Sequence, residues 1–519
     1  MKAAIAAKLG RKPDAYWRYT IFRRAVDARH KSAIVFNYTL DVDASPNASA
    51  LNDPNVSLTP DTAYRLVARA PQTPVTRPVV IGAGPCGLFA TLLLAQMGFR
   101  PLMIERGKEV RERTRDTWGL WRKSQLNPES NVQFGEGGAG TFSDGKLYSQ
   151  IKDPRYLGRK VLTEFVKAGA PEEILFVAKP HIGTFRLVGM VEHMRATIES
   201  LGGEIRFGQK VIDFEINKGR LQALHIAGGE RISTTHVVLA VGHSARDTFE
   251  QLHARDVFME AKPFSIGVRI EHPQSIIDRA RYGKFAGQSL LGAADYKLVH
   301  HCLSDEVRGR STYSFCMCPG GTVVAATSEV GCVVTNGMSQ YSRNERNANS
   351  GIVVGISPEQ DYPGGPLAGI EFQRRWERLA YIAGGSDYSA PAQLVRDFLA
   401  GRPSTSLGSV TPSYQPGVCM TDLASCLPDY AIAAIREALP AFNKKIAGFA
   451  MGDAVMTGVE TRTSSPLRIT RGENFQSLNT TGLYPAGEGA GYAGGILSAA
   501  IDGIKVAEAV ALDSCATTS

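Results

Sequence analysis

Short apolar runs in this chain alternate with glycine-rich turns and with longer runs of helical period, a pattern typical of α/β proteins. Residues 79–81 form an apolar run that enters the sequence Gly-Ala-Gly-Pro-Cys-Gly at 82–87, and an apolar helical stretch follows. A second apolar run at 101–104 ends at Glu105. This order predicts a strand, a glycine turn, a helix and a second, parallel strand.

Other apolar runs predict elements of the same kind at wide intervals along the chain. One is a buried strand at 237–241 that ends at Gly242, and another is a strand that leads to Glu488. Gly494 and Gly495 then open an apolar run of helical period. Between these segments the pattern predicts an amphipathic helix at 187–201, a strand at 203–211 and a hairpin at 211–226.

The first unit has the features of a dinucleotide-binding βαβ motif. Gly82 permits the tight turn out of the strand, Gly84 allows the backbone to approach a pyrophosphate, and Gly87 permits close packing of the helix on the sheet. The helix N-terminus presents amides and a positive dipole to phosphates. Glu105 lies where a carboxylate accepts ribose hydroxyls. A plain βα turn is the alternative, but strand, helix and acid together favour nucleotide binding.

The C-terminal glycine-rich segment favours FAD over NAD. Its strand delivers Glu488 to a position suited to a ribityl hydroxyl, and the helix opening at Gly494 and Gly495 offers a second N-terminus to a flavin carbonyl. NAD-binding domains do not need these features. FAD is therefore the expected cofactor.

The three separated segments resemble the FAD domain of the glutathione-reductase-like class of flavoproteins, in which they build one cofactor site. Glu488 stands where many members carry aspartate. A closer resemblance covers nearly the whole chain and includes the strings NVQFGEGGAGTFSDGKL, KPHIGT, YSFCMCPGG, TNGMS, GVETRTSSPLRI and YPAGEGAGYAGGI. In these strings the chain is similar to bacterial proteins described as uncharacterised FAD-dependent dehydrogenases or NAD(P)/FAD-dependent oxidoreductases. The resemblance implies FAD, a link to NAD(P)H or dehydrogenation, and a backbone contact of Val211 with adenine.

A glycine-rich loop at 131–146 is the remaining cofactor element. Its four glycines between 135 and 140 let successive amides point one way and predict a concave site for an anionic or carbonyl oxygen. The resemblance implies that this loop lies along the pyrophosphate and the flavin edge, with an ordinary mobile loop as the alternative. The expected FAD-binding residues are Gly82, Gly84, Pro85, Cys86, Gly87, Glu105, Arg106, Gly138, Ala139, Gly140, Thr141, Lys146, Val211, Gly242, Gly487, Glu488, Gly494, Gly495 and Ile496.

Length and composition fit a globular enzyme of two or three domains, with 519 residues and 43% hydrophobic content. No apolar run reaches the roughly eighteen residues needed to span a bilayer, and the first residues are too polar for a secretory signal, so a cytoplasmic location is expected. The net charge of +8 is a mild excess that favours phosphate-bearing cofactors and anionic substrates. The sequence leaves the oligomeric state open.

The expected fold class is α/β, with a discontinuous Rossmann-type FAD-binding domain at 76–255 and 455–519. An inserted antiparallel, β-rich substrate domain is expected at 256–454, with a hairpin at 311–328 around Pro-Gly-Gly. A small N-terminal α/β domain is expected at 1–72. Its basic and aromatic residues predict either a solvated face or a surface for RNA or an anionic ligand. They are Tyr16, Trp17, Arg18, Tyr19, Phe22, Arg23, Arg24, Arg29 and Lys31.

A flavin carries out hydride and one-electron chemistry itself, so the protein supplies position, charge and protons. The candidate catalytic groups are His181, Glu460 and Arg462, with Lys146 as electrostatic support for reduced flavin. His181 lies in an apolar-flanked turn, where a structural histidine is the alternative. Strand alternation puts Glu460 and Arg462 on one face, as an anion-binding or acid pair or as a structural ion pair.

The cysteines and paired histidines carry weaker signals. Cys316 and Cys318 share one face of a predicted strand, where a bridge between them is strained, so we expect them to pack as small apolar groups. The eight cysteines include no CxxC pair, and the two histidines at 300–301 lack a third ligand at metal spacing. No metal site is expected.

These features together predict an FAD-dependent oxidoreductase, a dehydrogenase or reductase, that acts on a small metabolite. NAD(P)H is a candidate electron donor. Because the chain has no second GxGxxG sequence, a nicotinamide is expected to dock transiently at the open flavin face. An RNA-modifying or RNA-binding flavoprotein and a flavin monooxygenase are the alternatives.

Overall fold

The computed structural model describes residues 1–12, 18–44, 50–72 and 76–516. Its strands are β1 (Tyr19–Asp27), β2 (Val35–Val42), β3 (Val79–Ile81), β4 (Leu102–Ile104), β5 (Glu204–Arg206), β6 (Val211–Asn217), β7 (Arg220–Ile226), β8 (Arg231–Ser233), β9 (Val237–Leu239), β10 (Glu260–Ala261), β11 (Phe264–Pro273), β12 (Val299–His301), β13 (Ser311–Cys318), β14 (Gly321–Ala325), β15 (Thr335–Ser339), β16 (Asn347–Ile356), β17 (Ala390–Leu394), β18 (Val418–Met420), β19 (Val455–Glu460), β20 (Leu467–Arg468) and β21 (Leu483–Pro485). Its helices are α1 (Lys2–Leu9), α2 (Pro85–Gln96), α3 (Val110–Lys123), α4 (Leu157–Lys167), α5 (Thr184–Ser200), α6 (Arg246–Ala254), α7 (Gln274–Tyr282), α8 (Pro358–Asp361), α9 (Ala368–Ala383), α10 (Val395–Ala400), α11 (Asp429–Lys445) and α12 (Ile496–Ala516).

A five-stranded parallel sheet forms the first layer, in the order β21-β9-β3-β4-β5. Its central strands are buried on both faces, which explains their continuous apolar sequences. Helices α2, α5 and α12 cover one face, while the antiparallel β6-β7-β8 sheet lies in the apolar cluster on the other face. Segments that are hundreds of residues apart in sequence therefore share one sheet.

Helix α2 is enclosed by protein because it packs between the sheet and α12. Pro85 occupies its first turn, and the following ten residues are buried. Two glycines permit the close contacts: a Cβ at Gly87 would lie 1.8 Å from the Gly82 oxygen, and a Cβ at Gly503 would lie 2.2 Å from the Cys86 oxygen. The role predicted for Gly87 in helix packing matches this geometry.

A seven-stranded sheet in the order β12-β13-β16-β11-β19-β17-β18 forms the second large layer. Its neighbouring strands are antiparallel except for the parallel pair β17 and β18. Helices α7, α9, α10 and α11 contribute to the large apolar cluster around it. The fold class is α/β, as predicted, with a Rossmann-type sheet and a β-rich part.

Two details of the second layer differ from the sequence-based expectations. Strands β13 and β14 flank the Pro-Gly-Gly turn, but they do not form a hairpin: β13 pairs with β12 and β16, whereas β14 pairs with β15. Long-range pairing outweighs the local turn signal here. Strand β19, which the boundary at 455 assigned to the FAD domain, lies inside the seven-stranded sheet between β11 and β17.

The N-terminal segment forms helix α1 and an antiparallel ribbon of β1 and β2. The ribbon is joined to the rest of the chain because the Arg24 amide donates to the Phe176 oxygen at 2.7 Å. Further along, the Tyr64 hydroxyl donates to Glu508 on α12 at 2.9 Å. Among the described helices, none has the length and apolarity required to cross a bilayer.

We predict that Gly503→Ala destabilises the protein by about 1–3 kcal/mol, because the new methyl group collides with the backbone of α2. Gly189→Ala on α5 is the matched control, since a Cβ there meets no atom within 4 Å. We expect this control to be neutral or stabilising by up to about 1 kcal/mol. Equilibrium denaturation of both variants measures the difference, and equal stabilities would contradict the packing described here.

Candidate functional site

A cavity of about 390 Å³ lies between the parallel sheet and the seven-stranded sheet. It opens at the carboxyl ends of β3 and β9, which are neighbours in the sheet. From β3 the chain continues to β4, which flanks β3 on the side away from β9. Such a switch point is a common ligand site in parallel sheets. The opposite wall includes Phe315 and Cys316 on β13 and Glu460 at the end of β19. The cavity therefore reaches from the glycine turn to the antiparallel sheet.

The carboxylate of Glu105 joins the two glycine-rich turns at one end of the cavity. It is 5% exposed and accepts hydrogen bonds from the amides of Ala83 at 2.8 Å, Gly107 at 2.8 Å and Gly135 at 2.9 Å. An ionised carboxylate has about four acceptor sites. One of these sites remains for a ligand hydroxyl, which is compatible with the predicted ribose contact.

Arg113 on α3 holds the glycine-rich loop from behind. Its buried guanidinium donates to the carbonyl oxygens of Asn131 at 2.8 Å, Val132 at 2.8 Å and Glu136 at 2.6 Å. Burial lowers the pKa of Arg113 to about 10, with Glu105 and Glu136 acting in the opposite direction. The side chain therefore stays charged near neutral pH and orders the loop.

The first part of the loop, residues 135–138, does not form the open group of amides that its glycine spacing predicted. The amides of residues 135–138 donate, in order, to the Glu105 carboxylate and to the oxygens of Lys108, Ala83 and Gly135. For these four residues the expectation was wrong, because the Glu105 carboxylate and neighbouring backbone oxygens accept their hydrogen bonds. Residues 138–140 still line the cavity.

Glycines at the other end of the cavity leave room for a ligand. A Cβ at Gly242, Gly494 or Gly495 would meet no protein atom within 4 Å, and all three residues line the cavity. By contrast, a Cβ at Gly487 would lie 2.9 Å from the Cys86 Cβ. The first three glycines therefore border open space, Gly242 after β9 and Gly494 and Gly495 before α12.

The structure brings most of the predicted cofactor residues to this cavity. Those that line it are Gly82, Gly84, Pro85, Cys86, Glu105, Arg106, Gly138, Ala139, Gly140, Lys146, Val211, Gly242, Glu488, Gly494, Gly495 and Ile496. Three others lie behind the lining and are Gly87, Thr141 and Gly487. Their direct contact with FAD stays a prediction.

The two predicted catalytic residues Glu460 and Arg462 both line the cavity, but each has its own partner. Glu460 accepts two hydrogen bonds from the buried Arg269, at 2.8 and 3.0 Å. Arg462 donates to Glu377 at 3.1 and 2.9 Å. Each charge is compensated by a different partner inside the protein, so the two residues do not form the ion pair with each other that was the alternative.

Glu377 is the centre of a larger buried network. It is fully buried and accepts from Arg246 at 2.7 and 3.0 Å as well as from Arg462. Burial alone raises the pKa of Glu377, but Arg246 and Arg462 hold it well below its usual range. The carboxylate therefore stays ionised and fixes the cation that faces the cavity.

Lys146 and His181 have different positions. Lys146 lines the cavity, and its ammonium group donates to the Met317 carbonyl. His181 lies outside the lining residues, where its Nε2 is 2.9 Å from the Tyr341 oxygen and its ring stacks on Tyr341. Burial lowers the pKa of His181. The placement favours the structural role that was the alternative for this histidine.

Comparison with known proteins assigns the family. Residues 263–463 match a family model described as "FAD-dependent protein, C-terminal domain-like", and residues 1–43 match a domain of unknown function. An uncharacterized protein of Clostridium beijerinckii is 47% identical over 511 residues, which cover 98% of this chain and 95% of that protein. This chain belongs to the same family as that protein, and its residues 263–463 form a domain typical of FAD-dependent proteins.

Several solved structures show weaker similarity to the present chain. The flavin-dependent brominase Bmp2 aligns with a TM-score of 0.38 and 15% identity, over 85% of this chain and 79% of that chain. A geranylgeranyl bacteriochlorophyll reductase-like protein of Thermoplasma acidophilum gives 0.37 and 12%, over 85% and 79% of the chains. Glycine oxidase of Bacillus cereus gives 0.34 and 10%, over 84% and 95%. Because these TM-scores are low, the fold is assigned from the strand order described above.

The cavity of this family member contains a histidine that sequence reasoning missed. His243 lines the cavity directly after Gly242, where the chain leaves the carboxyl end of β9. Burial lowers the pKa of His243 to about 3, and Arg462 and Arg246 contribute. The ring is therefore neutral near pH 7. Its position after a buried parallel strand was the signal available in the sequence.

Outside the cavity, His300, Cys302 and Glu437 place their ligand atoms within 4.8 Å of one another, a grouping that sequence spacing did not predict. Glu437 also accepts hydrogen bonds from the backbone amides of residues 303 and 304. The cluster therefore anchors that loop.

Part of the N-terminal basic cluster has partners within the protein. Arg29 donates three hydrogen bonds to Asp27, and Arg24 packs over the rings of Phe36 and Phe176. Such contacts reduce the charge available to an external ligand. The predicted members Tyr16 and Trp17 lie outside the described residues.

We predict a pH-dependent stability difference between the wild type and Glu488→Gln in protein without added FAD. Burial raises the pKa of Glu488 from 4.5 to about 7, opposed by Lys262. The folded state therefore holds more protons than the unfolded state between these values, and wild-type stability falls as pH rises. The variant should gain stability relative to wild type by up to about 3 kcal/mol across this window.

Denaturant titrations at several pH values measure this difference. Glu473→Gln, at an exposed carboxylate in the same C-terminal region, is the control and should show a flat difference. A flat difference for Glu488→Gln as well would show that this carboxyl is not destabilised by burial.

Proposed function

We propose that the chain binds FAD in the cavity and acts as an oxidoreductase on a small metabolite. The observation that carries the proposal is the continuity of the cavity. It begins at Glu105 and the 82–87 turn, passes the open glycines before α12, and ends at Lys146 and Cys316. This order supports an extended FAD with its adenosine at Glu105 and Val211 and its ring beside Gly495.

Individual residues supply position and charge in this proposal. The N-terminus of α2 faces the pyrophosphate, and the N-terminus of α12 faces a flavin carbonyl. Glu488 accepts a ribityl hydroxyl. Lys146 places a positive charge near the ring, where it favours the reduced, anionic form. The bound flavin supplies hydride and electron transfer. The three-segment order also supports the finer assignment to the glutathione-reductase-like class.

The substrate and the proposed donor NAD(P)H reach the site from the Tyr148 side. Tyr148 and Ser149 line the cavity and are exposed, so this end is open to solvent. Elsewhere on the cavity wall, Asn336 offers an uncharged amide, while the cationic Arg462 is already paired with Glu377. The opening therefore accepts a substrate through hydrogen bonds and apolar contact more than through a free charge.

We predict that Gly494→Leu weakens FAD binding at least about tenfold, or about 1.4 kcal/mol, because the side chain occupies the space proposed for the flavin. The stability of the FAD-free variant should stay near that of wild type, since no protein atom lies within 4 Å of the new Cβ. Gly189→Leu, at another open position on α5 that does not line the cavity, is the matched control. Fluorescence titration with FAD measures the affinities, and unchanged binding by Gly494→Leu would contradict the placement.

The proposed donor is tested by anaerobic stopped-flow mixing of the FAD-loaded protein with NADH and then NADPH. Rapid bleaching of the flavin band with one of them supports a nicotinamide-linked reductase. Slow bleaching with both contradicts NAD(P)H as the donor and favours reduction by the substrate itself. Oxygen consumption coupled to a hydroxylated product would favour the monooxygenase alternative instead.

A further inference from the structure

Cys316 and Cys318 lie at an irregular point of β13, on the wall of the cavity. The strand pairs Phe315 with Gly351 and Cys318 with Asn349 on β16, so one extra residue is inserted on the β13 side. Cys316 also adopts a left-handed backbone conformation with a φ of 43°. This is a β-bulge, which bends its strand and changes the direction of the side chains.

Because of the bulge, the spacing that keeps two such thiols apart in a regular strand does not apply to Cys316 and Cys318. In a regular strand, residues two apart are separated by about 6.6 Å along the chain, whereas a disulfide needs a Cβ–Cβ distance of about 3.5–4.5 Å. Here the Cys318 Sγ folds back to within 3.3 Å of the Cys316 carbonyl oxygen. The expectation that the two cysteines share one face of a regular strand was therefore wrong.

The surroundings of the pair distinguish its two members. Cys316 lines the cavity and is partly exposed, whereas Cys318 is fully buried. A hydrogen bond from the Cys318 thiol lowers the pKa of Cys316 well below its usual range, burial opposes this, and Lys146 and Arg269 assist it. The same hydrogen bond, together with burial, raises the pKa of Cys318. Cys316 is thus the more acidic thiol of the pair, and Cys318 is the less acidic one.

Two cationic side chains donate hydrogen bonds to backbone carbonyls of the cysteine segment and are thereby fixed beside the two thiols. The Lys146 ammonium donates to the carbonyl of Met317, the residue between the two cysteines. The Arg269 Nη1 donates to the carbonyl of Cys316 at 3.0 Å. Stabilised thiolates of this kind are the reactive form in thiol–disulfide chemistry.

We propose that Cys316 and Cys318 form a redox-active dithiol–disulfide pair that exchanges two electrons with the FAD of this protein. The inference rests on the proposed function, because FAD is the electron partner. When the disulfide is reduced, its S–S bond breaks and the two sulfurs gain two electrons and one proton, which gives a thiolate at Cys316 and a thiol at Cys318. The reduced, anionic flavin loses the same two electrons and one proton and becomes oxidised FAD. The reverse step forms the S–S bond and returns the two electrons and the proton to FAD.

The first test counts electrons. Oxidised holoprotein is titrated anaerobically with dithionite while the flavin absorbance is followed. Wild type should consume about four electrons per FAD, two for the flavin and two for the disulfide. Cys318→Ser should consume about two. Cys419→Ser, at a half-buried cysteine on the edge strand β18, is the matched control and should consume about four.

The second test counts thiols and requires no variant. Denatured wild type is alkylated before and after reduction, and the peptide that contains both cysteines is weighed. We expect it to be unalkylated in the oxidised protein and doubly alkylated in the reduced protein. Double alkylation of the oxidised protein, together with uptake of only two electrons per bound FAD, would overturn the proposal.

These outcomes separate the inference from the proposed function. Protein that binds no FAD refutes the proposed function and, with it, electron exchange between the pair and FAD, whatever the alkylation shows. Protein that binds FAD and has no disulfide refutes only the thiol pair. If Cys318→Ser does not fold, Cys316→Ser provides the same electron count, and the alkylation of wild type decides independently.

Discussion

Three backbone amides converge on one buried carboxylate, that of Glu105: those of Ala83 in the first glycine turn, Gly135 in the glycine-rich loop, and Gly107 just after the carboxylate itself. A buried charge of this kind is costly unless it is hydrogen-bonded, and here the amides meet that requirement. The turn at 82–87 and the loop at 131–146 are therefore fixed relative to each other. Arg113 fixes the loop from its other side through three carbonyls. The rest of the cavity is built outward from this junction.

A second property of the site is that charged side chains of the cavity wall are compensated by oppositely charged partners inside the protein. The cavity is lined by several ionisable groups, yet the ones nearest the antiparallel sheet are paired inside the protein: Glu460 with Arg269, and Arg462 with Glu377. Such buried pairs fix side-chain positions more than they add stability. They leave the cavity wall polar and ordered, with Lys146 and the bulge in β13 as the features that face the proposed flavin ring.

Local sequence patterns were sufficient to predict the elements that are determined by residues close to one another in the chain. The strand at 79–81, the glycine turn, helix α2 and the carboxylate at the end of β4 follow from spacing alone, because each is determined by its immediate neighbours. The C-terminal strand and helix were predicted for the same reason. Their meeting in one sheet came from the resemblance to known flavoproteins, since β9 and β21 are remote in sequence.

What the sequence did not reveal depends on long-range contacts. The partners of Glu460 and Arg462 lie about two hundred and about eighty residues away, so alternation along one strand wrongly suggested that the two groups act together. The Pro-Gly-Gly turn predicted a hairpin, but the pairing of β13 with β16 prevails. The same pairing creates the bulge that brings the two cysteines together. His243 lacked any motif of its own.

The most direct test is a crystal structure of the protein purified with FAD. The account predicts one FAD per chain, with a ribose hydroxyl within hydrogen-bond distance of the Glu105 carboxylate and the flavin ring between Gly495 and Cys316. An FAD bound elsewhere, or in this cavity in the opposite orientation, would contradict it.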